Sequence, residues 1–255
     1  MGKRFIRGLW GVVGDERGKL YKRRTKISND IELIKCSKYQ QPFTTFVFGE
    51  NNYRFLMDNG FDCVLIDKKP IIWDMEKEQF RHKLEVFKRG SEMFDEVVFL
   101  DWDTYPIQPF PDDFWDNVAR KSNIQATLRT YRRKGAYKRK NHNNKLPCAS
   151  FVYLKDENTA SDIIDVWEKM GRPWSEERAM AFYMDSLMGG DFSMEKYEEL
   201  FEPDYFYLNE CQPFKKYFGE NYYKDKPRIF RHLNKNQVNK ILKNKLNYEW
   251  VMCEG

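Results

Sequence analysis

The stretch Val97-Val98-Phe99-Leu100-Asp101-Trp102-Asp103-Thr104 runs four apolar residues straight into two carboxylates. A continuous apolar run bounded by turn residues reads as a strand covered on both faces, because a strand with one wet face alternates instead. Working back from it, Glu76 to Met93 reads as a helix, with Phe80, Leu84, Phe87 and Met93 on its apolar positions. Before that, Phe61 to Ile66 is a strand, Asn51 to Asp58 a helix, Phe43 to Phe48 a strand, Asn29 to Lys38 a helix and Arg4 to Val13 the first strand. Strand and helix alternate with short connections, which predicts an α/β domain with a mainly parallel sheet flanked by helices. Working forward, Ile124 to Arg129 and Ala149 to Leu154 read as strands, Ala160 to Lys169 and Glu176 to Met188 as helices, and Arg228 to Leu233 as a last short strand. The pattern there is mixed, so the whole sheet is expected to be mixed but mainly parallel.

In an open α/β sheet, ligands bind beyond the carboxyl ends of the strands. Asp101 and Asp103 occupy such an end. Residues two apart in an extended chain point the same way, so both carboxylates can reach one cation. Hard divalent ions such as Mg2+ or Mn2+ take oxygen ligands and are commonly held by one or two carboxylates plus substrate phosphates. A metal so held would neutralise the charge of a departing diphosphate. The competing reading is that the two aspartates only cap a turn before Pro106, since Asp is a favoured turn residue.

The 255 residues are 41% hydrophobic and 16% aromatic, enough apolar material for a full core and too much for general disorder. No repeat or linker divides them, so one domain over 1–255 is expected, with 1–100 as a nucleotide-binding half, 101–235 carrying metal, sugar and acceptor, and 236–255 as a tail. No apolar run reaches the length of about 20 residues that a spanning helix needs. The opening residues hold too short an apolar run for a signal-peptide core, so the expectation is a cytoplasmic protein, in the host cytoplasm if phage-encoded. Cys36, Cys63, Cys148, Cys211 and Cys253 are odd in number and contain no CxxC pair, which argues against a disulfide framework or a zinc cage. Composition leaves the oligomeric state open.

Beyond the aspartate pair, Lys83-Leu84 lies on the preceding helix, Phe94-Asp95 in the turn, and Asp112-Asp113-Phe114-Trp115 follows. Further on come Ala149-Ser150-Phe151-Val152-Tyr153, then Trp174-Ser175-Glu176-Glu177, then Arg228-Ile229-Phe230-Arg231-His232. In this order the elements resemble nucleotide-sugar glycosyltransferases of the GT-A fold, in particular the glycogenin-like family, over roughly residues 80 to 235. The resemblance implies a DxD-type enzyme that moves sugar from a nucleoside diphosphate, a UDP-glucose-like donor, with retention of anomeric configuration. It implies Asp101, Asp103 and His232 as ligands of Mn2+ or Mg2+, and Glu176 and Glu177 as the carboxylates facing the sugar. By position, Lys83 lies one helix before the aspartate pair and reads as a phosphate contact or a solvated helix residue. Trp10 and Tyr21 follow the first strand and read as stacking partners of the nucleotide base or as core, and Trp102 and Lys235 are further donor contacts. The chain departs from the family at Leu146-Pro147-Cys148, where an Asn-x-Gly is usual. It departs again at Asn234-Lys235-Asn236, where Gly-x-Lys-Pro-Trp is usual, and at Glu176-Glu177, where the family has Asp-Gln.

The net charge of +5 is unevenly placed. Between Arg129 and Lys145 stand eight cations, Arg129, Arg132, Arg133, Lys134, Lys138, Arg139, Lys140 and Lys145, with no acid, which leaves −3 for everything else. The segment lacks apolar periodicity and reads as a loop, with Tyr131 and Tyr137 among its cations. A charge run is commonly a solvated surface. Cations interleaved with aromatics also suit a phosphate backbone with exposed bases. The acceptor expected on this ground is DNA with hydroxymethylated bases, as in phage-type DNA. The alternatives are a protein or glycan acceptor, or a catalytically inactive nucleic-acid-binding module, which Pro147 would favour.

Overall fold

A computed structural model of the chain describes residues 2–11, 27–70, 78–106, 109–130, 145–171, 176–190, 196, 199–200, 230–232 and 235–244. In chain order the elements are β1 (Lys3–Leu9), α1 (Ile27–Cys36), β2 (Phe43–Phe48), α2 (Glu50–Asp58), β3 (Asp62–Ile66), α3 (Glu78–Met93), β4 (Glu96–Leu100) and β5 (Thr104–Pro106). They continue with α4 (Phe114–Ala119), β6 (Ile124–Thr130), β7 (Lys145–Leu154), α5 (Glu157–Lys169), α6 (Glu176–Leu187), β8 (Phe230–His232) and α7 (Lys235–Asn244). Six strands form one sheet in the order β3-β2-β1-β4-β7-β6, and β5 pairs with β8 separately. The β1–β2, β2–β3 and β1–β4 pairs are parallel, and β4–β7 and β6–β7 are antiparallel. The fold is therefore the mixed, mainly parallel α/β domain expected from the alternation of elements.

Burial explains the order. Every residue of β2 is buried, and β4 is buried from Val97 on, as strands covered on both faces must be. The edge strand β3 is mostly half-exposed. Helices α3, α5 and α6 pack against one another, and α3 also lies on β1 and β4. Gly8 permits that approach, since a Cβ there would stand 2.6 Å from the Trp10 ring and 2.8 Å from Val86. Helix α5 starts three residues earlier than its apolar pattern, because the Asp156 side chain accepts a 2.8 Å bond from Thr159 N–H and caps the first turn. Strand β7 also starts earlier than read. Pro147 is accommodated opposite Leu128, next to an irregularity between Ala126 and Leu128 where ladder bonding is interrupted in any case.

The segment read as a tail from 236 carries α7, which packs on α1, with Asn29 Nδ2 donating to Asn239 Oδ1 at 3.4 Å. Among the described residues no helix is long and apolar enough to cross a membrane.

Candidate active site

The carboxyl ends of β1 and β4 lie side by side, and the chain leaves them in different directions, β1 leading to β2 on one flank while β4 meets β7 on the other. That divergence opens the crevice in which α/β folds bind ligands. The aspartate pair stands there, but its local geometry differs from the extended chain assumed above. Asp101-Trp102-Asp103-Thr104 is a turn, closed by Thr104 N–H donating to Asp101 C=O at 3.0 Å. Four long-range hydrogen bonds impose it. Asp101 N–H donates to Ser150 C=O at 3.0 Å, which continues the β4–β7 pairing. Arg7 donates from Nη1 to Asp101 C=O and from Nη2 to Thr104 C=O, the latter at 2.9 Å. The Trp102 indole donates to Gly8 C=O at 2.9 Å. The turn that carries the two aspartates is thus set by tethers, and not by strand alternation.

Lys83, on α3, reaches the same point. Its Nζ lies 2.9 Å from Asp101 Oδ1 and 3.3 Å from Glu176 Oε1, with the Phe99 ring 4.9 Å away. Lys83, Glu176 and Glu177 are all buried, whereas Asp101 keeps a quarter of its side-chain surface. Burial alone would lower the Lys83 pKa. The charges of Asp101 and Glu176 outweigh it and hold the ammonium above its ordinary range. Glu176 is held above the usual carboxylate range, first by burial and then by the neighbouring Glu177 and Asp101, with Lys83 pulling the other way. Several acids share one lysine here, and Glu176 carries the excess. Glu177 does separate work, accepting from Ala149 N–H at 3.3 Å and so pinning the start of α6 to β7. The first turn of α6 suits both acids through its dipole.

Strand β5 brings a further element to the turn. Thr104 pairs with His232 across β5 and β8, so the histidine backbone lies beside the residue that follows Asp103. The His232 side chain lies outside the described residues, as do Tyr21, Arg132, Arg133, Lys134, Lys138, Arg139, Lys140 and the side chains of Arg129 and Lys235. Among the described residues no cluster of three His, Cys, Asp or Glu forms a ready metal cage. Two aspartates on a tethered turn at a crevice fit a hard divalent ion of the kind completed by substrate phosphate oxygens. Trp102 is half-buried, edge-on to Phe43 and Phe61, with its indole N–H spent on β1. Trp10 is 7% exposed and belongs to the main core cluster, which leaves its ring little face to offer a nucleotide base.

Two features escape sequence reading. Arg7 is fully buried, beneath Phe43 and Trp102 with its guanidinium 5.0 and 5.7 Å from their rings. Its signal was a charge inside the otherwise apolar run Phe5-Ile6-Arg7-Gly8-Leu9. The second is Tyr105, whose hydroxyl donates to the buried Asp30 at 2.7 Å. Burial, then the charge of Asp30, raise that phenol well above its ordinary value.

No protein-family model matches the chain, and no curated protein does. Among solved structures it is similar to the apo form of the glycosyltransferase GlyE of Streptococcus pneumoniae TIGR4, at 13% identity and a TM-score of 0.48, covering 100% of this chain and 63% of GlyE. A glycosyltransferase involved in glycosylation of the major capsid of PBCV-1 is similar at 11% identity and 0.48, covering 96% of this chain and 100% of that one. A putative glucose-1-phosphate thymidylyltransferase from Bacillus anthracis follows at 12% identity and 0.40, covering 72% and 84%. The chain thus spans somewhat less than two thirds of GlyE. At these values the likeness concerns chain path and assigns no chemistry.

Proposed function

We propose that the protein is a metal-dependent glycosyltransferase that moves a sugar from a nucleoside diphosphate, a UDP-glucose-like donor, to an acceptor hydroxyl with retention of anomeric configuration. The observation that carries the reading is the buried Lys83 shared by Asp101 and Glu176 at the carboxyl end of β4. It joins an aspartate of the metal-suited turn to an acid at the start of α6 through one cation. A diphosphate leaving group and an electron-poor anomeric carbon need that juxtaposition of positive charge and carboxylate. In the reaction the bond from the anomeric carbon to the diphosphate oxygen breaks, the nucleoside diphosphate leaves with the electron pair, and the acceptor oxygen bonds to the same face of the carbon as its proton passes to the departing diphosphate. In this reading Glu176, with Glu177 beside it at the start of α6, would face the sugar, and Lys83 and Asp101 the phosphates. Asp101 and Asp103, with His232 as the third ligand, would hold Mn2+ or Mg2+, which supplies charge neutralisation for the leaving group.

The acceptor we propose is DNA carrying hydroxymethylated bases, each extruded from the duplex to reach the crevice. The support is the concentration of eight cations between Arg129 and Lys145 on a body otherwise at −3. Strands β4 and β6 both run antiparallel to β7, so β6 ends at the same sheet edge as β4, and the basic segment connects there.

The test is incubation with Mn2+ and a panel of nucleotide sugars, with and without hydroxymethylated DNA, read by mass spectrometry for released nucleotide and for sugar on the base. Nucleotide release that requires metal supports the enzyme. No release with any donor overturns it, and release without DNA modification moves the acceptor to a protein or glycan.

A further inference from the structure

We propose that Arg7 is a positioning residue for the metal-binding turn, which it sets through main-chain carbonyls without touching metal or substrate. The inference rests on the metal site proposed above. Arginine presents a planar fork of donors. Here the fork spans the turn, one Nη on the carbonyl of its first residue, Asp101, and the other on that of its last, Thr104. Both carbonyls are thereby drawn toward β1, which fixes the sense in which the peptide planes of Asp101 to Thr104 are turned and hence where the Asp101 and Asp103 side chains leave the backbone. The adjacent residue of β1 repeats the hold, with Gly8 C=O taking the Trp102 indole N–H. Residues 7 and 8 of one strand thus template a turn 94 residues away in sequence.

Arg7 suits this work because it is rigidly housed. It is fully buried, with Phe43 and Trp102 against its guanidinium. Burying a guanidinium is costly unless its donors are used, and an apolar residue would have filled the same strand position without that cost. A lysine cannot reproduce the hold, since an ammonium is a point charge without the two-pronged geometry. The turn also sets Thr104, which pairs with His232, so the same fork governs the approach of β8 to the aspartates.

The test uses the full chain and Mn2+ alone, followed by electron paramagnetic resonance of the free ion. Arg7→Lys and Arg7→Gln should melt cooperatively yet bind Mn2+ at least about 10-fold more weakly than the parent. Trp102→Phe, which removes the Gly8 bond but keeps an aromatic ring beside Arg7, should weaken binding by a smaller factor. In nucleotide-release assays the Arg7 variants should need correspondingly more Mn2+ for half-maximal rate and regain most of the parental kcat when metal saturates, a split that general loosening of the fold would not produce. Should both Arg7 variants fail to fold, Trp102→Phe carries the test through its own Mn2+ affinity. Folded variants that bind Mn2+ like the parent overturn the proposal and leave Arg7 a packing residue. A parent that binds no Mn2+ overturns the metal site itself, and this inference with it.

Discussion

Replacing Lys83 with Met keeps roughly the volume of the side chain and removes the charge that Asp101 and Glu176 share at 2.9 and 3.3 Å. Deleting one partner of a buried ion pair costs about 3 to 5 kcal/mol, because the remaining charge is left without compensation. Asp101 keeps a quarter of its side-chain surface and can recruit water, so the lower end applies, about 3 kcal/mol near pH 8. For a chain of this size that corresponds to a fall in Tm of about 6 to 12 °C.

The loss should depend on pH in a defined sense. Glu176 already holds its proton above the usual carboxylate range, through burial first and its acidic neighbours second, while Lys83 pulls the other way. With Lys83 gone that pull is gone, and the folded-state pKa climbs further. A raised acid pKa means that the folded state binds a proton the unfolded chain has released, so stability falls as pH rises through that interval. The deficit of the variant should therefore shrink as pH is lowered from 8 toward 5. Lys83 contributes in the opposite range. Its folded pKa lies above its ordinary 10.5, so its contribution is complete below that value and is lost as pH rises through the folded one. The parent should lose stability at the alkaline edge in a way that Lys83→Met does not. Urea unfolding of both proteins, followed by tryptophan fluorescence from pH 5 to about 12, reads each effect. A deficit that is the same at pH 5 and pH 8, or below about 1 kcal/mol at pH 8, refutes the shared-lysine account.

Asp103 is half-exposed on its turn, so Asp103→Ala should abolish Mn2+-dependent nucleotide release while changing unfolding free energy by no more than about 1 kcal/mol in denaturant titration. Proton NMR of the product linkage should show the donor's anomeric configuration, and an inverted anomer would mean that the mechanism differs from that of glycogenin-like enzymes. Changing Arg132, Arg133, Lys138 and Arg139 together to Ser should weaken DNA binding and flatten its log-log salt dependence by up to about 0.9 per lost phosphate contact, with donor hydrolysis nearly unchanged. Parental DNA affinity in that variant would make the segment an ordinary solvated surface.

The elements legible in the sequence are those whose burial is written locally. Strand β4 is an uninterrupted apolar run from Val97 on, and β2 is interrupted only by the β-branched Thr44 and Thr45; both fall where the pattern puts them. Strand β5 escaped notice because it is three residues long and ends in Pro106, and it exists by pairing with β8 more than a hundred residues later. Helix α7 escaped because only Val238, Ile241 and Leu242 are apolar among its ten residues. The site divides the same way. That Asp101 stands at a binding edge follows from the run before it. How it and Asp103 are held does not, because the tethers come from Arg7, Gly8 and Ser150, none of them near in sequence. Strand alternation was the wrong ground for expecting the two acids on one side, since it needs extended backbone and four long-range bonds hold a turn instead. Lys83 and Glu176 were singled out separately, and their meeting on one ammonium could come only from the packing of α3 against α6.

The proposed acceptor raises an electrostatic difficulty that the sheet itself addresses. A crevice rich in carboxylates repels a phosphate backbone, yet the base to be modified must enter it. Strand β4 makes its last pair at Leu100 with Phe151, while β7 runs on to Lys145, which pairs with Thr130 at the end of β6. Six residues of strand extend about 20 Å. The basic segment is therefore attached well beyond the turn that carries Asp101 and Asp103, by more than the Debye length of about 8 Å at physiological salt. Cations and carboxylates on one sheet edge would cancel each other if they were adjacent. If DNA is the acceptor, cations attached at the end of this arm would hold its phosphates away from the acids, and the neutral base would cross to the crevice.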